Sequence, residues 1–101
     1  MKKILVVDDD KSIRLVLSTA LTRSGFLVKT SATTAGYLGL LNADKFDVMI
    51  TDVGLPDGDT LDTLPKIQSL NPKMKIIVIS AKSTLITAVR AEKKGAFYYF
   101  P

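Results

Sequence analysis

The 101-residue chain contains no cysteine, no histidine and no tryptophan. Without cysteine there is no disulfide framework and no thiolate metal site, which agrees with a reducing compartment. Without histidine, zinc sites and Ser-His-Asp chemistry are excluded, so acid–base or phosphoryl chemistry must rest on Asp, Glu, Lys, Ser, Thr or a partner's residues. The start Met1-Lys2-Lys3 is followed only by the apolar run Ile4-Leu5-Val6-Val7, too short for a signal peptide. No apolar stretch approaches the ~20 residues of a membrane span. A cytoplasmic protein with no membrane partner is the expectation. Dense basic stripes are lacking too. The net charge of +4 is scattered over positions such as Lys2, Arg14, Arg23, Lys29, Lys66, Lys82, Arg90 and Lys93 with no interleaved aromatics, which reads as a solvated basic face rather than a nucleic-acid surface.

What the chain does contain is a hydrophobic fraction of 47%, enough for one core in one domain with no length left for a second. Strand and helix patterns alternate along it. Lys3 to Asp8 reads as a buried strand, and Ile13, Val16, Leu17, Ala20 and Leu21 then recur at helical spacing up to the stop at Gly25. Leu27 to Ser31 is a second strand, and Thr33 to Leu41 a helix weakened by Gly36 and Gly39. Val48 to Asp52 is the third strand, followed by the turn-rich Gly54-Leu55-Pro56-Asp57-Gly58 and a helix from about Thr60 to Leu70. Asn71-Pro72 stops that helix. Lys75 to Ser80 is the most β-branched strand, Ser83 to Lys94 a helix capped by Gly95, and Ala96 to Phe100 a fifth strand ended by Pro101. Near-continuous apolar strands separated by helices predict an α/β fold whose parallel sheet is covered on both faces.

In such folds the carboxyl ends of the strands form the ligand site. Asp8, Asp9 and Asp10 close the first apolar run, Asp52 closes the third strand and Ser80 the fourth. Asp10 stands just before a helix, where a capping role is its ordinary use. Carboxylates ~4 Å apart repel by roughly 4 kcal/mol at an effective dielectric near 20, so a cluster of Asp8, Asp9 and Asp52 calls for a cation. Oxygen ligands of this kind suit Mg²⁺, which prefers few protein carboxylates and a phosphate partner.

Four segments together resemble the receiver domain of two-component response regulators. They are Val7-Asp8-Asp9-Asp10, Thr51-Asp52-Val53-Gly54-Leu55-Pro56-Asp57-Gly58, Ser80-Ala81, and Gly95-Ala96-Phe97-Tyr98-Tyr99-Phe100-Pro101. Leu64-Pro65-Lys66-Ile67, Ser80-Ala81-Lys82-Ser83-Thr84 and the Pro101 ending are most similar to receivers of NtrC-type nitrogen-regulation transcription activators. The resemblance implies a flavodoxin-like three-layer sandwich with a five-stranded parallel sheet of order 2-1-3-4-5. It implies Asp52 as a phosphoacceptor that takes its phosphoryl group from a sensor histidine kinase, which explains how a chain without histidine takes part in His-to-Asp transfer. It further implies Mg²⁺ bound by Asp9, Asp52 and the Gly54 carbonyl with Asp8 holding a metal-bound water, Ser80 on the phosphoryl oxygen, and Tyr99 as the switching aromatic. DNA would be reached only through an output domain absent from this chain, and the receiver would be no enzyme beyond its own phosphorylation and dephosphorylation.

The family places a lysine directly after the proline that ends the fifth strand, then a final helix, and this chain stops at Pro101. Residues 1–101 are therefore expected to be a C-terminally truncated receiver lacking the last helix. Apolar residues such as Ile77, Ile79, Phe97 or Phe100 would then be left uncovered, favouring a homodimer or other self-association. Other readings stand beside this one. An Mg²⁺-dependent phosphatase with an aspartyl nucleophile would also place Asp52 at a strand end, but the haloacid-dehalogenase pattern needs a second Asp where Gly54 stands. A flavodoxin-like flavin carrier would find its phosphate repelled by Asp8 to Asp10. A degenerate receiver serving only dimerisation would share the whole pattern except the missing lysine.

Overall fold

In the computed structural model the apolar runs pair as strands of one parallel sheet. The structure describes residues 2–52, 54–79 and 98–100, with only the backbone of Leu61 and of Tyr98–Phe100. Ser80, the expected helix from Ser83 to Lys94 with its Gly95 cap, and Phe97 lie outside the described residues.

Strand β1 (Lys3–Val7) is followed by helix α1 (Lys11–Arg23), β2 (Leu27–Ser31) and α2 (Thr34–Ala43). Then come β3 (Val48–Asp52), the short β4 (Gly54–Leu55) and β5 (Gly58–Asp59), α3 (Thr60–Leu70), β6 (Lys75–Ile79) and β7 (Tyr98–Phe100). The five longer strands form one parallel sheet in the order β2-β1-β3-β6-β7. This is the expected 2-1-3-4-5 order of an α/β flavodoxin-like fold. The turn-rich segment after β3 adds something the sequence did not announce, since β4 and β5 pair as a small antiparallel hairpin.

Strand alternation sends Leu5, Val7, Met49, Ile76 and Val78 to one face, where they pack with Tyr37 and Leu41 of α2 and Leu64 and Ile67 of α3. Ile4 and Val6, equally buried, point to the other face. That face meets α1, which crosses β1 and β2. Asp10 caps α1 through its carboxylate, which accepts the Ser12 N–H at 2.8 Å and the Ile13 N–H at 3.2 Å. Gly25 ends it at φ 95°, a left-handed conformation that glycine adopts without a Cβ clash.

The regular apolar spacing along α1 predicts a buried stripe, but no residue of α1 is buried. Ile13 is 42% exposed and Val16 66%. Exposed apolar surface is also expected at strand residues such as Ile77, Ile79, Phe97 or Phe100; Ile77 and Ile79 are half-buried, and the side chains of Phe97 and Phe100 lie outside those described. Among the described residues the uncovered large apolar side chains are Ile13, Leu15 and Val16 on α1 and Leu27 at the start of the edge strand β2. Among the described residues no helix is long and apolar enough to cross a membrane.

The β4–β5 turn also holds α2. Thr33 caps that helix by accepting the Gly36 N–H at 3.1 Å, and the Asp57 carboxylate accepts the N–H groups of Thr34 at 2.7 Å and Ala35 at 3.0 Å. The bonds from Ala35 and Thr34 hold the Asp57 carboxyl below the usual carboxylate range. Its contribution to stability is therefore present above the ordinary value of 3.8 and is lost as pH falls through the lower folded-state value. Asp57→Ala is expected to raise the midpoint pH of acid unfolding followed by circular dichroism. An unchanged midpoint would show that this clamp contributes nothing to α2.

Candidate functional site

Register alone brings the acids together. β1 pairs with β3 at Val7 and Thr51, so the next residue of each chain segment, Asp8 and Asp52, falls at the same sheet edge. One carboxylate oxygen from each of Asp8, Asp9 and Asp52 lies within 4.8 Å of the other two. Asp8 is buried, Asp52 half-buried and Asp9 exposed, so the cluster opens to solvent on one side and rests on the core on the other.

The main chain around Asp8 is fixed from three directions. Its N–H donates to Ser31 O at 3.1 Å. Its carbonyl accepts from Arg14 Nη1 at 2.7 Å, and its carboxylate accepts the Asp10 N–H at 2.8 Å. Burial pushes the Asp8 carboxyl above the usual carboxylate range; the Asp10 N–H opposes this, and the charges of Asp52 and Asp9 add to it. A buried acid raised by neighbouring carboxylates marks a place where positive charge would be welcome. The donor atoms of the cluster are all oxygens, the set that suits a hard divalent cation such as Mg²⁺ and not a softer metal.

Asp10, the remaining acid of the first run, stays with α1 as its cap. Gly54 opens β4 two residues beyond Asp52, paired with Asp59, and a Cβ there would meet nothing within 4 Å. Ser80 comes directly after β6 in sequence and lies outside the described residues. The Tyr99 backbone in β7 pairs with Val78 of β6, and only the backbone of Tyr99 is described.

Two hydroxyls missed from the sequence also reach this edge. Thr51 and Thr60 are both fully buried, and both donate to the backbone carbonyl of Asp52, at 2.9 Å and 2.8 Å. Thr60 gives a faint signal as a hydroxyl residue opening an apolar helix, but that pattern reads as a cap rather than as a contact to a residue eight positions back.

Comparison with known proteins places this architecture in a family. The description "Response regulator receiver domain" matches residues 4–101. The chain is 46% identical over 98 residues to the DNA-binding transcriptional regulator NtrC of Azospirillum brasilense, a match covering 97% of this chain and 20% of that protein. It is 40% identical over 96 residues to the NtrC of Escherichia coli K12, covering 95% of this chain and 20% of that one. The chain thus spans about a fifth of the length of the curated relatives it matches.

Among solved structures, the beryllofluoride-activated NtrC4 receiver domain dimer superposes with a TM-score of 0.91 at 36% identity, covering 100% of this chain and 85% of that one. A response regulator from Burkholderia pseudomallei, determined with a phosphorylated aspartic acid, a calcium ion and citrate, gives a TM-score of 0.94 at 30% identity over 99% of this chain and 59% of that chain.

Proposed function

From the premise that this chain belongs to the response regulator receiver domains, we propose that Asp52 accepts a phosphoryl group from a sensor histidine kinase and that this switches an output domain of the NtrC type. The observation that carries the reading is the convergence of Asp8, Asp9 and Asp52 within 4.8 Å at the carboxyl edge of the sheet. In the transfer an Asp52 carboxylate oxygen forms the new O–P bond while the P–N bond of the phosphohistidine breaks. The imidazole nitrogen keeps the electron pair and takes up a proton.

Asp8, Asp9 and Asp52, with the Gly54 carbonyl, are the groups that would hold Mg²⁺. When bound, the ion would neutralise the clustered carboxylates and the charge of the arriving phosphoryl oxygens. Asp52 is half-buried and opens to solvent, as a nucleophile for a group presented by another protein must. Asp8 is held by Arg14 and Ser31 and supplies a fixed negative wall. Ser80 is assigned to donate its hydroxyl to a phosphoryl oxygen, and Tyr99 to change orientation in response. Binding to DNA belongs to the output domain.

The direct test is to incubate the protein with acetyl phosphate and Mg²⁺ and to map the modified residue by peptide mass spectrometry. Label is expected on Asp52 alone. Label on another residue, or label that survives Asp52→Asn, overturns the assignment.

We further propose that the receiver self-associates, the occupant of its exposed apolar face being a second copy. Ile13, Val16 and Leu17 of α1 and Ile79 of β6 border a groove of about 300 Å³, and the NtrC4 receiver that this chain resembles was solved as a dimer. Sedimentation velocity of this chain should show a dimer that Val16→Glu dissociates. A strictly monomeric parent at high concentration would remove this reading.

A further inference from the structure

The last described pair between β3 and β6 joins Asp52 to Ile79. Two buried hydroxyls converge on the Asp52 backbone carbonyl. Thr51 Oγ1 and Thr60 Oγ1 donate to the Asp52 carbonyl at 2.9 Å and 2.8 Å and lie 3.4 Å from each other. A carbonyl oxygen has two lone pairs, so the two donors can occupy both acceptor positions. Thr51 belongs to the same strand and moves with it. Thr60 does not. It is the first residue of α3, and its hydroxyl ties the start of that helix to the backbone of the candidate nucleophile.

Packing alone does not call for this hydroxyl, because valine is close to threonine in shape and lacks the polar atom that burial obliges threonine to satisfy. Resting on the reading of Asp52 as the phosphoacceptor, we propose that Thr60 is a positioning residue for Asp52. Its hydrogen bond fixes the orientation of the Asp52 carbonyl. That orientation governs the direction of the Asp52 carboxylate toward Asp8 and Asp9. Removing the bond leaves the acid cluster assembled but misaligned.

The test compares Thr60→Val, Thr60→Ser and, as a control one turn along the same helix, Thr63→Val, whose parent hydroxyl bonds to Asp59 O instead. For each protein the rate of phosphoryl uptake at saturating acetyl phosphate, the dissociation constant for Mg²⁺ alone and the thermal midpoint are measured. Loss of an outer-shell partner costs ~10–100-fold in metal affinity or activity. That loss is expected for Thr60→Val with the fold retained, with most of it recovered in Thr60→Ser and none of it seen in Thr63→Val. Should Thr60→Val fail to fold, Thr60→Ala carries the same comparison with Ser.

Parental rate and Mg²⁺ affinity in Thr60→Val overturn the proposal. So does equal slowing in the Val and Ser variants, since that would reflect packing. If the parent takes no label at Asp52, the phosphoacceptor reading fails, and Mg²⁺ affinity alone then decides the positioning role: weakening in Thr60→Val supports it, and an unchanged value or no Mg²⁺ binding by the parent overturns it.

Discussion

Asp52→Asn is expected to abolish phosphoryl uptake and, in the absence of Mg²⁺, to make the protein more stable than its parent. The parent holds three carboxylates within 4.8 Å, and at about 4 Å each charged pair repels by ~4 kcal/mol at an effective dielectric near 20. Asp9 is exposed and Asp52 half-buried, so solvent and salt screen most of this and leave a net gain of about 1 kcal/mol. Asparagine keeps the shape and removes one charge.

Mg²⁺ should reverse the order. A cation that binds only the folded state stabilises by RT ln(1 + [L]/Kd), and the variant, short of one carboxylate, gains less. Urea midpoints measured with and without Mg²⁺ should therefore cross.

The difference also depends on pH, through Asp8. Its folded-state pKa is raised by burial and further by the charge of Asp52. The associated stability is present below the ordinary value of 3.8 and is lost as pH rises through the higher folded value. The advantage of Asp52→Asn should appear over that rise and vanish in acid. A variant less stable than the parent without Mg²⁺, or one equally responsive to Mg²⁺, would show that the three acids do not share one electrostatic site.

The parts of the fold that could be read from the sequence are those governed by local period and local punctuation. β3 and α3 fall where apolar alternation and the breakers around them put them, and Asp10 caps α1 as its position before the helix suggests. The acid cluster was legible for a related reason. Parallel pairing aligns strand ends, so an acid closing each of two apolar runs is enough to bring the carboxylates together.

What escaped depends on contacts between distant residues. Asp57 reads as a turn residue, yet its carboxylate bonds Thr34 and Ala35. Thr60 reads as a helix start, yet its hydroxyl faces back to Asp52. The exposure of Ile13 and Val16 escaped because helical spacing shows which residues share a face and not what covers it. The bonds of Asp57 tie the hairpin after β3 to α2, and the bond of Thr60 ties α3 to the end of β3.

Leu64→Ala is expected to cost more stability than Asp57→Ala, Thr60→Val or Val16→Glu. Leu64 is fully buried in α3 and packs with Ile67 against the sheet face lined by Leu5, Met49 and Val78. The helix depends on this burial more than most, because Pro65 within it lacks the N–H that would bond the carbonyl of Leu61. Truncating a buried leucine to alanine costs ~2–5 kcal/mol, against a total of roughly 5–15 kcal/mol for a domain of this size. The urea midpoint should fall by the equivalent of that loss at unchanged slope. Lys66→Ala on the exposed side of the same helix should stay within about 0.5 kcal/mol of the parent.

A loss below about 1 kcal/mol at Leu64 would mean that α3 is not anchored through this side chain. Thr60 and Leu64 are one turn apart on one helix, so the pair separates two kinds of effect. Leu64→Ala should lower stability more than Thr60→Val and disturb Mg²⁺ affinity less, because the cavity it opens lies in the core while the Asp52 carbonyl keeps both of its hydroxyl donors.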